Sequence, residues 1–245
     1  MNILCIIANI PEKRWCVFLN SFKNYKVYII VNDNEYDLTE YIRIYKNIQF
    51  IKIDESKCIS NGYTNCEFSD KLINGWDKAL YYFGVENTNY EFIWFMEDDV
   101  FFYKEETLGE IDINYKTDDL LSNSYYSKTD NRRQNLWNWD NINIAYSEPY
   151  YSGSMNSVRV SKKMMNSINN YAIKNKKIFY IEALFPTIAK KNNLIYSNPT
   201  ELFNIQASPN YERKDVNKTN IYHPEKDLNT HIYYRYHLIP HLIIQ

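Results

Sequence analysis

The sequence predicts an α/β fold: a mostly parallel central sheet with helices on both faces. Two observations carry that reading. Strand-length apolar runs alternate with helix-period segments through the first hundred residues. Those runs are apolar almost throughout, the pattern of strands covered on both sides rather than one. A chain of 245 residues with 45% hydrophobic and 17% aromatic content is also long enough to bury a substantial core.

In order, the apolar run from Asn2 to Ile10 is the first strand. The segment from Glu12 to Phe22 places Trp15, Val17, Phe18 and Phe22 on one side of a short helix. Strands follow from Lys26 to Val31 and from Ile48 to Ile53. The segment from Ser69 to Phe83 reads as a helix capped by Ser69 or Asp70 and stopped by Gly84. A fourth strand runs from Tyr90 to Met96. From Lys104 to about Asn141 the chain is polar and without a clear period, which reads as a long excursion of loops. Regularity resumes at Ile142 to Tyr146. A helix follows from Ser161 to Lys174, with Met164, Met165, Ile168 and Tyr171/Ala172 on its apolar face. Another helix begins near Glu182, with Pro186 expected in its first turn, and the tail from Ser197 reads as irregular. No repeat or linker divides the chain, so one domain over 1–245 is expected.

Lysine plus arginine number 28 against 30 acids, a net charge of −2, which argues against nucleic acid or an anionic membrane as partner. No apolar run reaches the length of a membrane span, and the opening segment lacks the basic start of a signal peptide. Four scattered cysteines (Cys5, Cys16, Cys58, Cys66) suit reduced thiols in a cytoplasmic protein. Heavy use of Asn, Ile, Lys and Tyr points to an A/T-rich genome, such as that of a giant DNA virus or a protist; the viral case implies the host cytoplasm.

The sharpest feature is Glu97-Asp98-Asp99 at the end of an intensely apolar strand. Like charges at such spacing repel by roughly 2–4 kcal/mol per pair at an effective dielectric near 20. A divalent cation removes that penalty, and hard oxygen ligands suit Mg²⁺ or Mn²⁺. In an open parallel sheet, ligands bind beyond the carboxyl ends of the strands. The plainer alternative is a solvated acidic turn.

Residues 71–102, with Gly75-Trp-Asp-Lys-Ala-Leu-Tyr-Tyr82 before Ile93-Trp-Phe-Met-Glu-Asp-Asp-Val100, resemble the GT-A glycosyltransferases. In that family a helix precedes the strand bearing a D-x-D motif, here Glu97-x-Asp99. The resemblance implies that Asp99 ligates the metal carried by a nucleotide diphosphate. Glu97 would assist directly or through water, and Asp98 would contact the donor's ribose or sugar. It further implies nucleotide contacts after the first two strands, at Asn9 and Asp33, with Lys78 facing the phosphates. Turn chemistry explains Asn9 and Asp33 equally, and a solvated helical position explains Lys78. UDP is the expected donor nucleotide, with GDP next.

Two later segments match the family in order. The stretch from Phe179 to Ala189 resembles the region where inverting members carry the acid that deprotonates the acceptor, here Glu182; a helix-capping role is its alternative. His223, in Ile221-Tyr-His-Pro-Glu-Lys226, matches a C-terminal metal-binding histidine, and Lys226 the cation that neutralises the diphosphate, with Arg235 in reserve. A histidine ligand favours Mn²⁺ over Mg²⁺. For a glycan or glycoprotein acceptor, Trp137, Trp139, Tyr151, Gly153 and Ser154 are candidates, since aromatic faces pack on sugar C–H faces and glycine admits close approach.

The resemblance therefore implies a metal-dependent glycosyltransferase working with inversion, with residues 1–103 binding the donor and 104–245 the acceptor. A sugar-nucleotide nucleotidyltransferase is the alternative enzyme, though residues 9–14 lack the glycine-rich loop it needs. A non-catalytic glycan-binding or scaffold protein on the same fold is the alternative from another class. P-loop, dinucleotide-binding, serine-elbow and H-E-x-x-H signatures are absent from the sequence.

Overall fold

The computed structural model describes residues 2–66, 72–127, 146–204 and 216–236. Its first half runs β1 (Asn2–Ala8), α1 (Lys13–Leu19), β2 (Tyr25–Val31), α2 (Thr39–Ile44), β3 (Ile48–Ile51), α3 (Glu55–Ser60), α4 (Gly75–Tyr81) and β4 (Phe92–Glu97). The second half adds β5 (Phe101–Phe102), α5 (Glu105–Asn114), β6 (Leu120–Ser127), β7 (Tyr151–Ser161), α6 (Lys162–Asn175), α7 (Ile181–Lys191) and β8 (Tyr196–Ser197). The tail supplies β9 (Leu202–Asn204), β10 (Ile221–His223) and α8 (Leu228–Tyr236).

The central sheet has strand order β3-β2-β1-β4-β7-β6-β8. β1 runs parallel to β2 and β4, and β2 to β3. β7 is antiparallel to both neighbours, while β8 is parallel to β6. The sheet is thus mostly parallel, with β7 reversed. Alternation along β1 shows why the strand reads as uniformly apolar. Ile3, Cys5 and Ile7 pack on one side with α4, α6 and α7, and Leu4, Ile6 and Ala8 on the other with α1. Both faces are therefore covered, as expected.

On the α1 side, Arg159 of β7 is fully buried. Its guanidinium lies 3.1 Å from Asp112 Oδ1, donates to the Tyr115 and Asp118 carbonyls, and sits 4.3 Å over the Phe92 ring. Trp94, Tyr25 and Asn2 also donate to Asp112, so one carboxylate ties β1, β2, β4 and β7 to α5.

Several boundaries differ from the sequence reading. The helix expected from Ser69 starts at Gly75, where Asn74 caps it and Asp77 returns a bond to the Asn74 N–H; Ser69 and Asp70 lie outside the described residues. Gly84 does not stop that helix, because the chain continues into a π turn, Tyr82–Glu86. The polar stretch after Lys104 contains α5 and β6. α5 has a weakly amphipathic surface, buried only at Thr107, Leu108 and Ile111, which conceals its period. Pro186 lies inside α7, in the second turn. Among the described residues of the tail, β9 and β10 join β5 in a second, three-stranded sheet, β5-β10-β9. Residues 142–145, where regularity was expected to resume, lie outside the described residues.

Candidate metal centre and donor cleft

β1, β2 and β4 end side by side, and their carboxyl edges form a cleft. One lobe of 230 Å³ is lined by Ala8, Asn9, Asn32, Asn74, Trp76 and the three acids Glu97, Asp98 and Asp99. A second lobe of 640 Å³ shares Asn9 and Asn32 and extends past Asp33, Asn34, Asp54 and Glu55 to Ile73. The β1–β2 ladder persists into the cleft wall, with the Asn32 N–H donating to the Ala8 carbonyl and the Asp33 N–H to Asn9. Asn9 and Asp33 thus stand together on this wall, where a donor nucleotide was expected. Asp33 Oδ1 also accepts the Glu35 N–H at 2.9 Å, an Asx turn that fixes the loop.

β4 carries Glu97 to the edge, and Asp98 and Asp99 follow in a turn closed by the Val100 N–H donating to Glu97. His223 arrives through β10, which pairs antiparallel with β5 immediately after the acids, Ile221 opposite Phe102 and Tyr222 opposite Phe101. Its Nε2 lies 3.2 Å from Asp99 Oδ1 and 3.7 Å from Glu97 Oε2. Potential ligand atoms of Glu97, Asp99 and His223 all lie within 4.8 Å of one another.

The donor set fits a hard divalent cation with one nitrogen ligand. Asp99 Oδ1 is buried yet has no well-aligned hydrogen bond, and His223 Nδ1 is likewise unpartnered. The nearest side-chain nitrogen to that oxygen is His223 Nε2, itself a candidate ligand. Glu97 is oriented from both sides: Oε1 accepts from Trp76 Nε1 at 3.1 Å, and Oε2 from Asn156 Nδ2 at 2.7 Å.

The acids do not titrate alike. Burial alone would raise Asp99, but the adjoining His223 imidazole and the Lys226 charge outweigh it and hold its carboxyl below the ordinary value. Asp98 moves upward: the protein bulk around it contributes most, then the charges of Asp99 and Glu97. Asp98 is the most exposed of the three acids. Lys226 is exposed and its charge acts on both aspartates, which places it beside the cluster.

Two cations expected near the diphosphate stand elsewhere. The Lys78 ammonium has no exposure; it donates to the Asn32 carbonyl at 2.6 Å and to Asn34 Oδ1 at 3.3 Å, under the cleft wall. α4 is buried along its whole length, so its one lysine points into the protein and supports the β2 loop. Arg235 donates to the Phe102 carbonyl and lies 3.7 Å over the Phe18 ring, which takes it out of the site. Burial lowers it to about 9.

Glu182 is half-buried in the first turn of α7 and lines neither lobe. The helix itself reaches the site: Phe185 packs 6.1 Å from Trp76, whose indole N–H holds Glu97. On β7, Thr187 of α7 brackets the Tyr151 backbone at both N–H and carbonyl, Gly153 pairs with Tyr125, and Ser154 Oγ donates to Asn156 Oδ1. Ser154 therefore connects to Glu97 through Asn156. Trp137 and Trp139 lie outside the described residues.

Sequence reasoning missed Asn74, Trp76 and Asn156. The N-x-x-D spacing of Asn74 and Asp77 is a legible capping signal. Asn156 becomes relevant only through the antiparallel register that sets Ser157 against Met96, which no local pattern reveals.

Among the described residues, no helix is long and apolar enough to cross a membrane. No family model matches the chain, and no curated protein matches it. Solved structures do. An active-site mutant of LgtC gives a TM-score of 0.53 at 12% identity, covering 91% of this chain and 86% of that one. Galactosyltransferase LgtC in complex with donor and acceptor sugar analogues gives 0.53 at 11%, covering 94% and 88%. Mouse xyloside xylosyltransferase 1 in its apo form, at 0.47 and 10% identity over 91% and 97%, adds no weight. At such identity the likeness concerns architecture: the chain has the mostly parallel α/β sheet of the GT-A glycosyltransferase fold.

Proposed function

We propose that this chain is a metal-dependent glycosyltransferase that moves a sugar from a nucleotide diphosphate sugar to an acceptor hydroxyl with inversion. One observation carries the proposal: Glu97, Asp99 and His223 converge within 4.8 Å at the mouth of a cleft on the carboxyl edge of the parallel strands. Asp99 and His223 hold a divalent cation, Mn²⁺ ahead of Mg²⁺, and Glu97 completes the set directly or through water. Bound there, the ion stabilises negative charge on the departing diphosphate.

The remaining work belongs to side chains. Asn9, Asn32 and Asp33 line the lobe that receives the nucleoside, UDP first and GDP next. Asp98 reaches the ribose or sugar, and Lys226 adds positive charge at the diphosphate. Glu182 takes the acceptor proton as the hydroxyl oxygen bonds to the anomeric carbon and the bond to the diphosphate oxygen breaks. Tyr151, Gly153 and Ser154 flank the acceptor, a glycan or glycoprotein. One functional unit spans 1–245, residues 1–103 serving the donor and 104–245 the acceptor, with His223 of the second part completing the metal set of the first. The four cysteines are buried and do not form a disulfide frame, which supports action in the cytoplasm.

The test is a thermal-shift panel of UDP, GDP, dTDP and CMP with and without Mn²⁺. A ligand at 100 times its Kd adds about 2.7 kcal/mol, several degrees in Tm. A Mn²⁺-dependent shift that disappears in Asp99→Ala supports the reading. A folded protein that shifts with none of them refutes it.

A further inference from the structure

Resting on the metal-centre reading, we infer that Asn156 and Trp76 are positioning residues that set metal affinity by holding the Glu97 carboxylate from opposite sides. Neither is one of the three candidate ligands, Glu97, Asp99 and His223. Each occupies one oxygen: Trp76 Nε1 donates to Oε1 at 3.1 Å and Asn156 Nδ2 to Oε2 at 2.7 Å. Both donors act on a charged acceptor, where hydrogen bonds are stronger than between neutral groups.

The two donors are themselves fixed. Trp76 is buried between Phe95 at 5.9 Å and Phe185 at 6.1 Å, so its ring plane is set by β4 and α7. The orientation of Asn156 is settled by Ser154 Oγ donating to its Oδ1 at 2.8 Å, which leaves Nδ2 to face Glu97. α4, α7 and β7 thus converge on one carboxylate. With a donor on each oxygen, its plane and torsions are restricted. Each oxygen retains lone-pair capacity toward His223, 3.7 Å from Oε2, and toward an ion.

This constraint has a direct physical consequence. A glutamate has three side-chain torsions, and a free one must lose that freedom to ligate. A carboxylate already held loses less, so the ion binds more tightly. Partners that orient a metal ligand from behind affect metal affinity by 10–100-fold when removed.

The experiment is a Mn²⁺ titration followed by electron paramagnetic resonance, without nucleotide, on the full chain and on Asn156→Ala, Trp76→Phe and the double variant. Trp76→Phe keeps the aromatic packing and deletes only the N–H. Each single variant is expected to weaken Mn²⁺ binding by roughly 10–100-fold. The double variant should lose little more than the weaker single variant, because both donors restrain the same carboxylate. Thermal melts in the absence of metal run alongside, because a residue that only supports packing would lower Tm and leave Mn²⁺ affinity in the folded protein unchanged. Wild-type Mn²⁺ binding retained within threefold by both single variants would overturn the inference alone. Absence of binding by the wild type would instead overturn the metal-centre reading beneath it.

Discussion

The ammonium of Lys78, without solvent exposure, donates to the main-chain carbonyl of Asn32 at 2.6 Å. This bond joins α4 to the loop that forms the cleft wall, and Asn34 Oδ1 and the more distant Glu55 carboxylate complete the surroundings of the charge. Desolvation lowers the pKa of Lys78, and Glu55 opposes that shift.

Lys78→Met should therefore act on the cleft from below. The Asn32 carbonyl loses a donor, at a cost of about 1–3 kcal/mol in stability. Mn²⁺ affinity should be unchanged, while affinity for the donor nucleotide falls about tenfold, or ~1.4 kcal/mol, as the loop loosens. Calorimetry with each ligand separates the two. An equal loss of both affinities would mean that Lys78 supports the metal centre as well.

Glu182→Gln tests the proposed proton acceptor. The amide keeps the shape of the side chain in the first turn of α7 and cannot take a proton. Transfer should fall by roughly 10²–10⁴ with donor affinity retained. Transfer at the wild-type rate would assign the base to another residue.

His231 predicts an acid-labile tail. It is 1% exposed, packs against Trp15 and Phe101, and Nε2 lies 2.7 Å from the Glu225 carbonyl. Burial, followed by the charge of Arg235, lowers its pKa from 6.5 to about 4, against smaller opposing contributions from the Glu225 carbonyl, Asp227 and Asp99. Between these values the unfolded chain holds a proton that the folded one refuses, so stability rises with pH across the window. Acidification from 6.5 to about 4 should thus cost up to about 3 kcal/mol through this residue. His231→Gln preserves a donor toward Glu225 without a titrating ring. Urea melts from pH 7 to 4 should show a shallower decline for the variant; parallel declines would exclude His231 as the source.

The central sheet was legible because its strands are buried on both faces and announce themselves as uninterrupted apolar runs. β1 to β4 appear within a residue or two of their expected positions, apart from the ends that dissolve into turns, such as Asn9 and Lys52. α5, β6 and the strands of the tail were not legible. The two-residue β5 and three-residue β10 carry too little pattern, and they exist because each pairs with a distant partner. At the site, acids at the strand end and the late histidine could be named individually, and the structure unites Glu97, Asp99 and His223. Lys78 could not be placed from sequence because helix periodicity gives a face only after the helix's own burial is known. α4 is buried all round.

His223 lies far along the chain from Glu97 and Asp99, in the second sheet rather than in the central sheet that carries Glu97, so the proposed metal set is closed by docking rather than by local folding. The Glu225 N–H donates to the Asp99 carbonyl at 2.7 Å, and α8 lies over α1 through Arg235. In the proposed metal centre, affinity would report the fraction of molecules whose tail is seated, the apparent Kd being the intrinsic value divided by that fraction. Anything that lifts α8 from α1 would weaken the proposed metal set in proportion, with every candidate ligand still present and the central sheet still intact.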